Sequence, residues 1–431
     1  MRNNTLVNLL CNLYYRFTSN FYSRIEEISC SKYLQILYCV LVTDILFLLQ
    51  EWYKSPILLK ESIQNINYLC PPYFVDCNIA YIFTNSAPGY SYKLLIAFVA
   101  SFIFFSIFFF LKQNYKLATL LLLIPVIFKF IILYFLNYDT VLNYNYLTLL
   151  LAIVFIFAKD KLFAMKVIVT FMYFSSAFIK IYPSYLAGGF FDTLNGGLPL
   201  LPESLSSLSL NSLYASFIVL LLVLGPAFLW SKNKLYRSIS FFTMLIFHLY
   251  SIVFVGFRFP FVCIMLLYIF YLSEHQSFEL KKIYNNKLLS VLLVIMFSLQ
   301  AFPYLIDGDH KFTAEGEKYG YYIFNTNKQC IINTTIIYKD GTKKELNASS
   351  TNPIQRCDPY RDWFILNKRC GSDQNIKNIK LQYYVSLNGS NYYEVVNTND
   401  ICKLKYSIFK HNEWIKDDVI DQSITVYKNT L

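Results

Sequence analysis

Long apolar runs alternate with short polar or basic stretches along most of this chain. The runs fall at Leu34–Trp52, Lys93–Leu111, Leu117–Leu136, Val141–Ala158, Met165–Ile181, Leu213–Trp230, Ile239–Phe257, Phe259–Leu272 and Leu288–Leu305. Each holds about 14–20 mostly apolar residues, enough for a helix to cross the hydrocarbon region or nearly so. The eighth run is short, and only Arg258 separates it from the seventh. Those two predict either two spans or one re-entrant pair. From Asp307 the texture changes to alternating, polar, β-prone sequence. Ile331–Tyr338, a Lys339-Asp340-Gly341-Thr342 turn and Thr342–Leu346 read as a hairpin. Leu381–Leu387, Asn388-Gly389 and Tyr392–Val396 repeat the pattern.

Composition agrees with lipid as the main solvent. Of 431 residues, 56% are hydrophobic and only 15% are charged, too few to cover a water-soluble surface of this size. The formal charge of +11 does not point to nucleic acid, because the cations sit in short clusters between apolar runs. The N-terminal arm holds Arg2, Arg16, Arg24 and Lys32. Alternate loops hold Lys112 and Lys116, then Lys159, Lys161 and Lys166, then Lys232, Lys234 and Arg237, then Lys281, Lys282 and Lys287. With an odd number of spans, this asymmetry places the N-terminus in the cytosol and the C-terminus outside. No short apolar stretch with a cleavage site lies near Met1, so the first run predicts a retained signal anchor.

Two further patterns agree with that orientation. Sequons stand at Asn333-Thr334-Thr335, Asn347-Ala348-Ser349 and Asn388-Gly389-Ser390, all after the last run. Cys330, Cys357, Cys370 and Cys402 lie in the tail, and Cys70 and Cys77 in the first outer loop. That is an even set on the oxidising side, suited to disulfides, and its spacings do not suit zinc. Cys11, Cys30, Cys39 and Cys263 read as free thiols. The expected fold is thus a polytopic α-helical membrane bundle of about nine spans with a C-terminal extracytosolic β-rich domain. Its parts are a cytosolic arm (1–33), a transmembrane helical domain (34–305) and a lumenal or extracellular domain (306–431). The pattern alone favours a passive outer domain over a lid or a peptide-docking surface.

Five ionisable residues lie in or at the ends of apolar runs: Asp44, Lys129, Lys180, His248 and Arg258. A charge at a helix centre costs about 2.5–3.5 kcal/mol on insertion scales, so each needs an account. Asp44 suits pairing with a cation such as Arg258, Lys129 suits structural pairing, and His248 suits a neutral interhelical hydrogen bond. Lys180 is near the outer end of the fifth run, where position alone favours snorkelling to headgroups. Facing the bundle instead, its amine would lose water and serve as a base. Tyr144, Lys180 and Arg258 fall at similar depth beneath the outer domain.

Residues 172–180 (MYFSSAFIK), with Tyr185-Leu186-Ala187-Gly188, resemble a segment of the vitamin K-dependent γ-carboxylases and their horizontally transferred transmembrane (HTTM) relatives. Phe247-His248 through Gly256 and Phe259-Pro260 resemble that family's helix pair, and Asn143-Tyr144-Asn145-Tyr146-Leu147 its Asn-His motif. Asp44 is similar to an aspartate of its first helix. The segments at Tyr319–Phe324, Ile336–Leu346 and Tyr383–Gly389 resemble the start of its lumenal β domain. The resemblance runs in matching order from about Leu34 to Trp414.

It implies an integral membrane enzyme, of the endoplasmic reticulum in a eukaryote. Such an enzyme couples oxidation of reduced vitamin K or a similar quinol by O2 to carboxylation, with CO2, of glutamates in secretory peptides. Lys180 falls on the family's catalytic lysine, with Tyr144 and His248 in support, and Asn143, Arg258 and Asp44 on the cofactor side. No metal is implied. A γ-carbon proton is too weakly acidic for any side chain, so a cofactor held away from water must supply the driving force. Tyr144 stands where the family has histidine; a phenol with a reference pKa of about 10 donates a hydrogen bond but does not shuttle protons near neutrality. The alternative is a non-catalytic membrane protein that binds, or helps to mature, a secreted peptide or a lipid. A transporter is disfavoured by the absence of paired broken helices or an internal repeat in the hydropathy.

Overall fold

The computed structural model describes residues 23–54, 91–131, 134, 143–194, 208–350 and 357–416. Cys11, Cys70, Cys77 and Asp139 fall outside them. The apolar runs form helices: α1 (Lys32–Lys54), α2 (Ser91–Leu111), α3 (Tyr115–Ile131), α4 (Asn143–Phe157) and α5 (Lys161–Phe178). After α5 come two single turns, Pro183–Leu186 and Gly189–Asp192. The series continues with α6 (Leu208–Leu229), α7 (Lys234–Val255), α8 (Arg258–Leu272) and α9 (Lys287–Ala301). Six of these, α1, α2, α5, α6, α7 and α9, are long and apolar enough to cross a membrane; α4 and α8 are shorter apolar helices. The third run ends as helix at Ile131, short of its expected Leu136.

Outward faces of the bundle are as apolar as its core. Phe98 and Phe104 on α2, Leu213 and Phe217 on α6, Phe242 and Ile246 on α7, and Val294 and Phe297 on α9 are all exposed. A surface of this extent suits hydrocarbon better than water. Inside, α5 is the central helix, with residues on every side of it buried. Polar side chains set the ends. Asp160 accepts from Phe163 N at the start of α5, Asn233 from Leu235 N before α7, and Asn286 from Leu289 N before α9. Gly256, at φ 76°, ends α7 with a backbone turn that a side chain would strain, and lets α8 fold back against it.

Two of the basic loop residues do more than mark orientation. Lys161 is fully buried and donates to Ile156 O and Ala158 O, carbonyls at the C-terminal end of α4. Lys166 donates to Glu274 O just beyond α8. Both satisfy carbonyls that a helix end leaves without intrahelical partners. The end of the N-terminal arm is also docked: residues 23–30 are helical, Ile25 and Ile28 join the bundle core, and Arg24 donates to Phe157 O.

Beyond Leu305 the chain builds an antiparallel four-stranded sheet from β1 (Lys328–Tyr338), β2 (Lys343–Ser350), β3 (Ile376–Leu387) and β4 (Tyr393–Thr398). The spatial order is β2-β1-β3-β4, so the two expected hairpins join through β1 and β3. One face packs on α10 (Pro359–Ser372) through Ile336, Ile379, Leu381, Tyr383 and Leu366. Cys330–Cys357 and Cys370–Cys402 are disulfides; Cys30, Cys39 and Cys263 are free.

Candidate functional site: an apolar cavity with a buried amine

Tyr173, Ser176 and Lys180 are spaced three and four residues apart, which puts them on one face of α5 and the turn that follows it. That face looks into a cavity of about 450 Å³ between α5, α6 and α7. The volume falls in the range of roughly 300–1,000 Å³ for small-molecule sites. Aromatic rings dominate its wall, among them Tyr185, Phe191, Phe217, Phe247 and Phe259.

The roof comes from the segment that leads into the C-terminal sheet. Residues 321–327 run as a strap, bent at Phe324 (φ 49°), over the end of the bundle, and Tyr321, Ile323, Phe324 and Thr326 line the cavity. The strap is fastened along its length. Tyr321 N donates to Gln300 Oε1 at 2.8 Å and the Tyr322 hydroxyl to Gln300 O at 2.7 Å, both at the end of α9. Tyr182 donates its hydroxyl proton to Asn325 O. Asn388, at the β3–β4 turn, donates to the Tyr182 hydroxyl at 2.9 Å and to Ser184 Oγ at 3.0 Å, while its Oδ1 accepts from Asn327 N.

Lys180 is 4% exposed. Its amine does not reach for headgroups. It donates to Ser176 O at 3.1 Å, Ser176 Oγ at 2.9 Å and, across to the strap, Ile323 O at 2.7 Å. All three partners are neutral, one of them a hydroxyl that can also donate to an amine lone pair, and among the described residues no carboxylate forms an ion pair with it. Deeper in the wall the Tyr173 hydroxyl and His248 Nε2 share a hydrogen bond of 2.7 Å. Two buried polar atoms of lining residues, His248 Nδ1 and the Tyr321 hydroxyl, have no protein partner, and neither atom is exposed to the cavity.

The other expected residues gather behind this wall. Asp44 on α1, 1% exposed, receives Lys129 Nζ of α3 at 2.5 Å and Arg258 Nη2, at the start of α8, at 3.4 Å. Lys129 also donates to Thr148 of α4. Arg258 lies 3.5 Å from Asn145 Oδ1, and its guanidinium stands 4.7 Å over the ring of Tyr144. Asp44 therefore holds two cations, where the sequence suggested Arg258. Tyr144, Asp44 and Arg258 are not among the described lining residues; Phe259, whose ring lies 6.2 Å from Tyr144, stands on the cavity side. Asn143 is the first residue of α4, and its side chain is outside the described residues.

The lining combines apolar, aromatic-rich walls with one amine and a hydrogen-bonded Tyr–His pair. Tyr173, Ser176 and Tyr321 lie in segments that carry the resemblance but are not among the site residues expected from the sequence. The i, i+3, i+7 polar stripe on α5 carries a signal for the first two; Tyr321 arrives from a distant segment. No family model, curated protein or solved structure matches this chain. Among the described residues no group of three or more His, Cys, Asp or Glu is arranged to hold a metal ion.

Proposed function

We propose that this chain is a multi-pass membrane protein that takes an aromatic-headed lipid such as a quinol into the α5–α7 cavity, with Lys180 as its proton acceptor. On this reading all nine apolar helices sit in the bilayer, the N-terminal end is cytosolic, and the sheet domain is lumenal or extracellular. The supporting observation is the Lys180 amine: buried, facing an apolar chamber, and given no counter-charge. An amine so placed gains a compensating anion when it accepts a proton from a hydroxyl of the ligand, because the ion pair forms in one step. Ser176 and Ile323 O keep the amine at the wall. The ring-rich wall keeps the local dielectric low, which strengthens each of these interactions.

In γ-carboxylase-like chemistry the quinol supplies, through its oxidation by O2, a base strong enough to remove a glutamate γ-proton before CO2 is captured. The resemblance of residues 172–180 to that family carries this further step, with secretory peptides as substrate. One observation favours the narrower reading of lipid binding without carboxylation. Tyr144, at the family's histidine position, stacks on Arg258 behind Phe259 and does not line the cavity.

The test uses purified protein in lipid nanodiscs with reduced vitamin K, O2, bicarbonate and a glutamate-containing peptide. Epoxide formation that falls about 10²–10⁴-fold in Lys180→Ala matches loss of a general base. Quinone binding seen by intrinsic fluorescence without any epoxide selects the binding-only reading. Neither binding nor epoxide removes both.

A further inference from the structure

The sheet's outer face and its free edge meet at one exposed asparagine. In β1, residues 330, 334 and 336 are buried, whereas Ile331, Asn333 and Thr335 turn to the other face. Register places Asn347 of β2 opposite Asn333, Asn333 opposite Gln382 of β3, and Gln382 opposite Asn397 of β4. Four amides thus cross the open face in one row, with Asn347 on the edge strand at its end.

The edge itself is divided. β2 is exposed along its described length, and an unpaired strand edge is a template for pairing with another chain. Lys343, Lys344 and Glu345 protect its first half by charge. Leu346, Asn347, Ala348 and Ser349 leave the second half uncharged, and Asn347-Ala348-Ser349 is a sequon. The other two sequons are placed differently. Asn333 lies between two strands and is half-buried. Asn388 is buried, and both its amide nitrogen and its amide oxygen are committed to Tyr182, Ser184 and Asn327. A sugar on Asn388 Nδ2 is incompatible with those bonds, so the three sequons are not equivalent.

We infer that Asn347 carries an N-linked glycan, which lies over the amide row and shields the uncharged half of the β2 edge, while Asn388 stays unmodified. In the transfer, Asn347 Nδ2 bonds to the anomeric carbon of an oligosaccharide carried on a polyprenyl pyrophosphate. The carbon–oxygen bond to pyrophosphate breaks, the polyprenyl pyrophosphate leaves with the electron pair, and one amide proton passes to base. The inference rests on the outer location proposed above and is independent of quinol chemistry.

The test expresses the full chain in a mammalian secretory host with an extra sequon appended after Leu431 as a topology control. Glycosidase digestion should release two glycans, and Asn347→Gln and Ser349→Ala should each remove the same one; Ser349→Ala leaves the asparagine in place. Asn388→Gln should leave the glycan number unchanged. Deglycosylated protein should show a concentration-dependent larger species by size-exclusion chromatography. A glycan on the appended sequon with none on Asn347, or one mapped to Asn333 or Asn388, overturns the site. No glycan on either overturns the outer location and the site with it. Identical elution with and without the glycan overturns the shielding role.

Discussion

The bundle buries two lysines of very different company. Lys129 meets a carboxylate at 2.5 Å, and the same carboxylate serves Arg258. Lys180 is buried nearly as deeply, yet its three acceptors are neutral and a cavity opens beside it. The first arrangement spends its charge on holding α1, α3 and α8 together. The second leaves charge compensation undone, to be completed by whatever enters. In a low-dielectric interior that difference sets a paired cation apart from an amine without a counter-charge among the described residues.

Asp44→Ala strikes the paired site and should have the largest effect. It leaves two buried cations without their anion, at a cost of about 3–5 kcal/mol, read as a lower midpoint of unfolding in detergent. Asn388→Ala cuts the fastening between the β3–β4 turn and the Tyr182 loop and should cost about 1–3 kcal/mol. Its distinctive readout is faster hydrogen exchange in residues 321–327 with little change in α1 or α3. Lys180→Met abandons no charged partner but leaves the Ile323 carbonyl and the Ser176 hydroxyl without the amine, and should cost about 1–3 kcal/mol, less than Asp44→Ala. A loss as large as that of Asp44→Ala would erase the distinction between the two lysines.

The smallest effect is a pH dependence at the roof. His310 packs between the rings of Tyr304 and Tyr322, at 4.5 and 5.5 Å between centroids, and so ties the strap to the end of α9. Burial holds its pKa below the usual 6.5, against the pull of Glu317 and of Asp309 at 3.6 Å, with Lys311 and Lys328 adding to the depression. Its neutral form is the one that folding favours. The stability it contributes is full above pH 6.5 and is lost as pH falls from there through the folded-state value. Glu315, pushed above the ordinary carboxyl range by burial, acts in the opposite sense: its charge destabilises as pH rises through its folded value. The unfolding midpoint of wild type should fall between about pH 6.5 and 5, and His310→Gln should flatten that limb.

Hydrophobic period and length were enough to place the helices, because segment-long apolar runs leave the backbone no other way to satisfy itself in lipid. The two hairpins were legible for a local reason too, since Asp340-Gly341 and Asn388-Gly389 supply the left-handed turn conformations that tight connections need. What stayed hidden depends on distance in sequence. Asp44 gave no sign that Lys129, 85 residues away, would share it with Arg258. Lys180 alone could equally have faced headgroups; Ile323, 143 residues on, decides part of its surroundings. Asn388 reads from the sequence as a hairpin turn and a sequon; its burial follows from that turn landing on the Tyr182 loop, which no local pattern announces. Lys161 and Lys166 counted as orientation signals because charge in a loop looks the same whether or not it caps a neighbour.

The strap makes the chamber a joint property of two parts of the chain that have little else in common. Severed after Leu305, the helices would keep their shape while the amine lost its nearest acceptor and the hollow its ceiling. Force or a docked peptide acting on the sheet would reach position 180 directly through the Ile323 carbonyl and, two residues on, through the bonds of Tyr182 to Asn325 and Asn388. A greasy guest below and a visitor above would each alter the other's welcome to the same degree, as thermodynamic reciprocity requires.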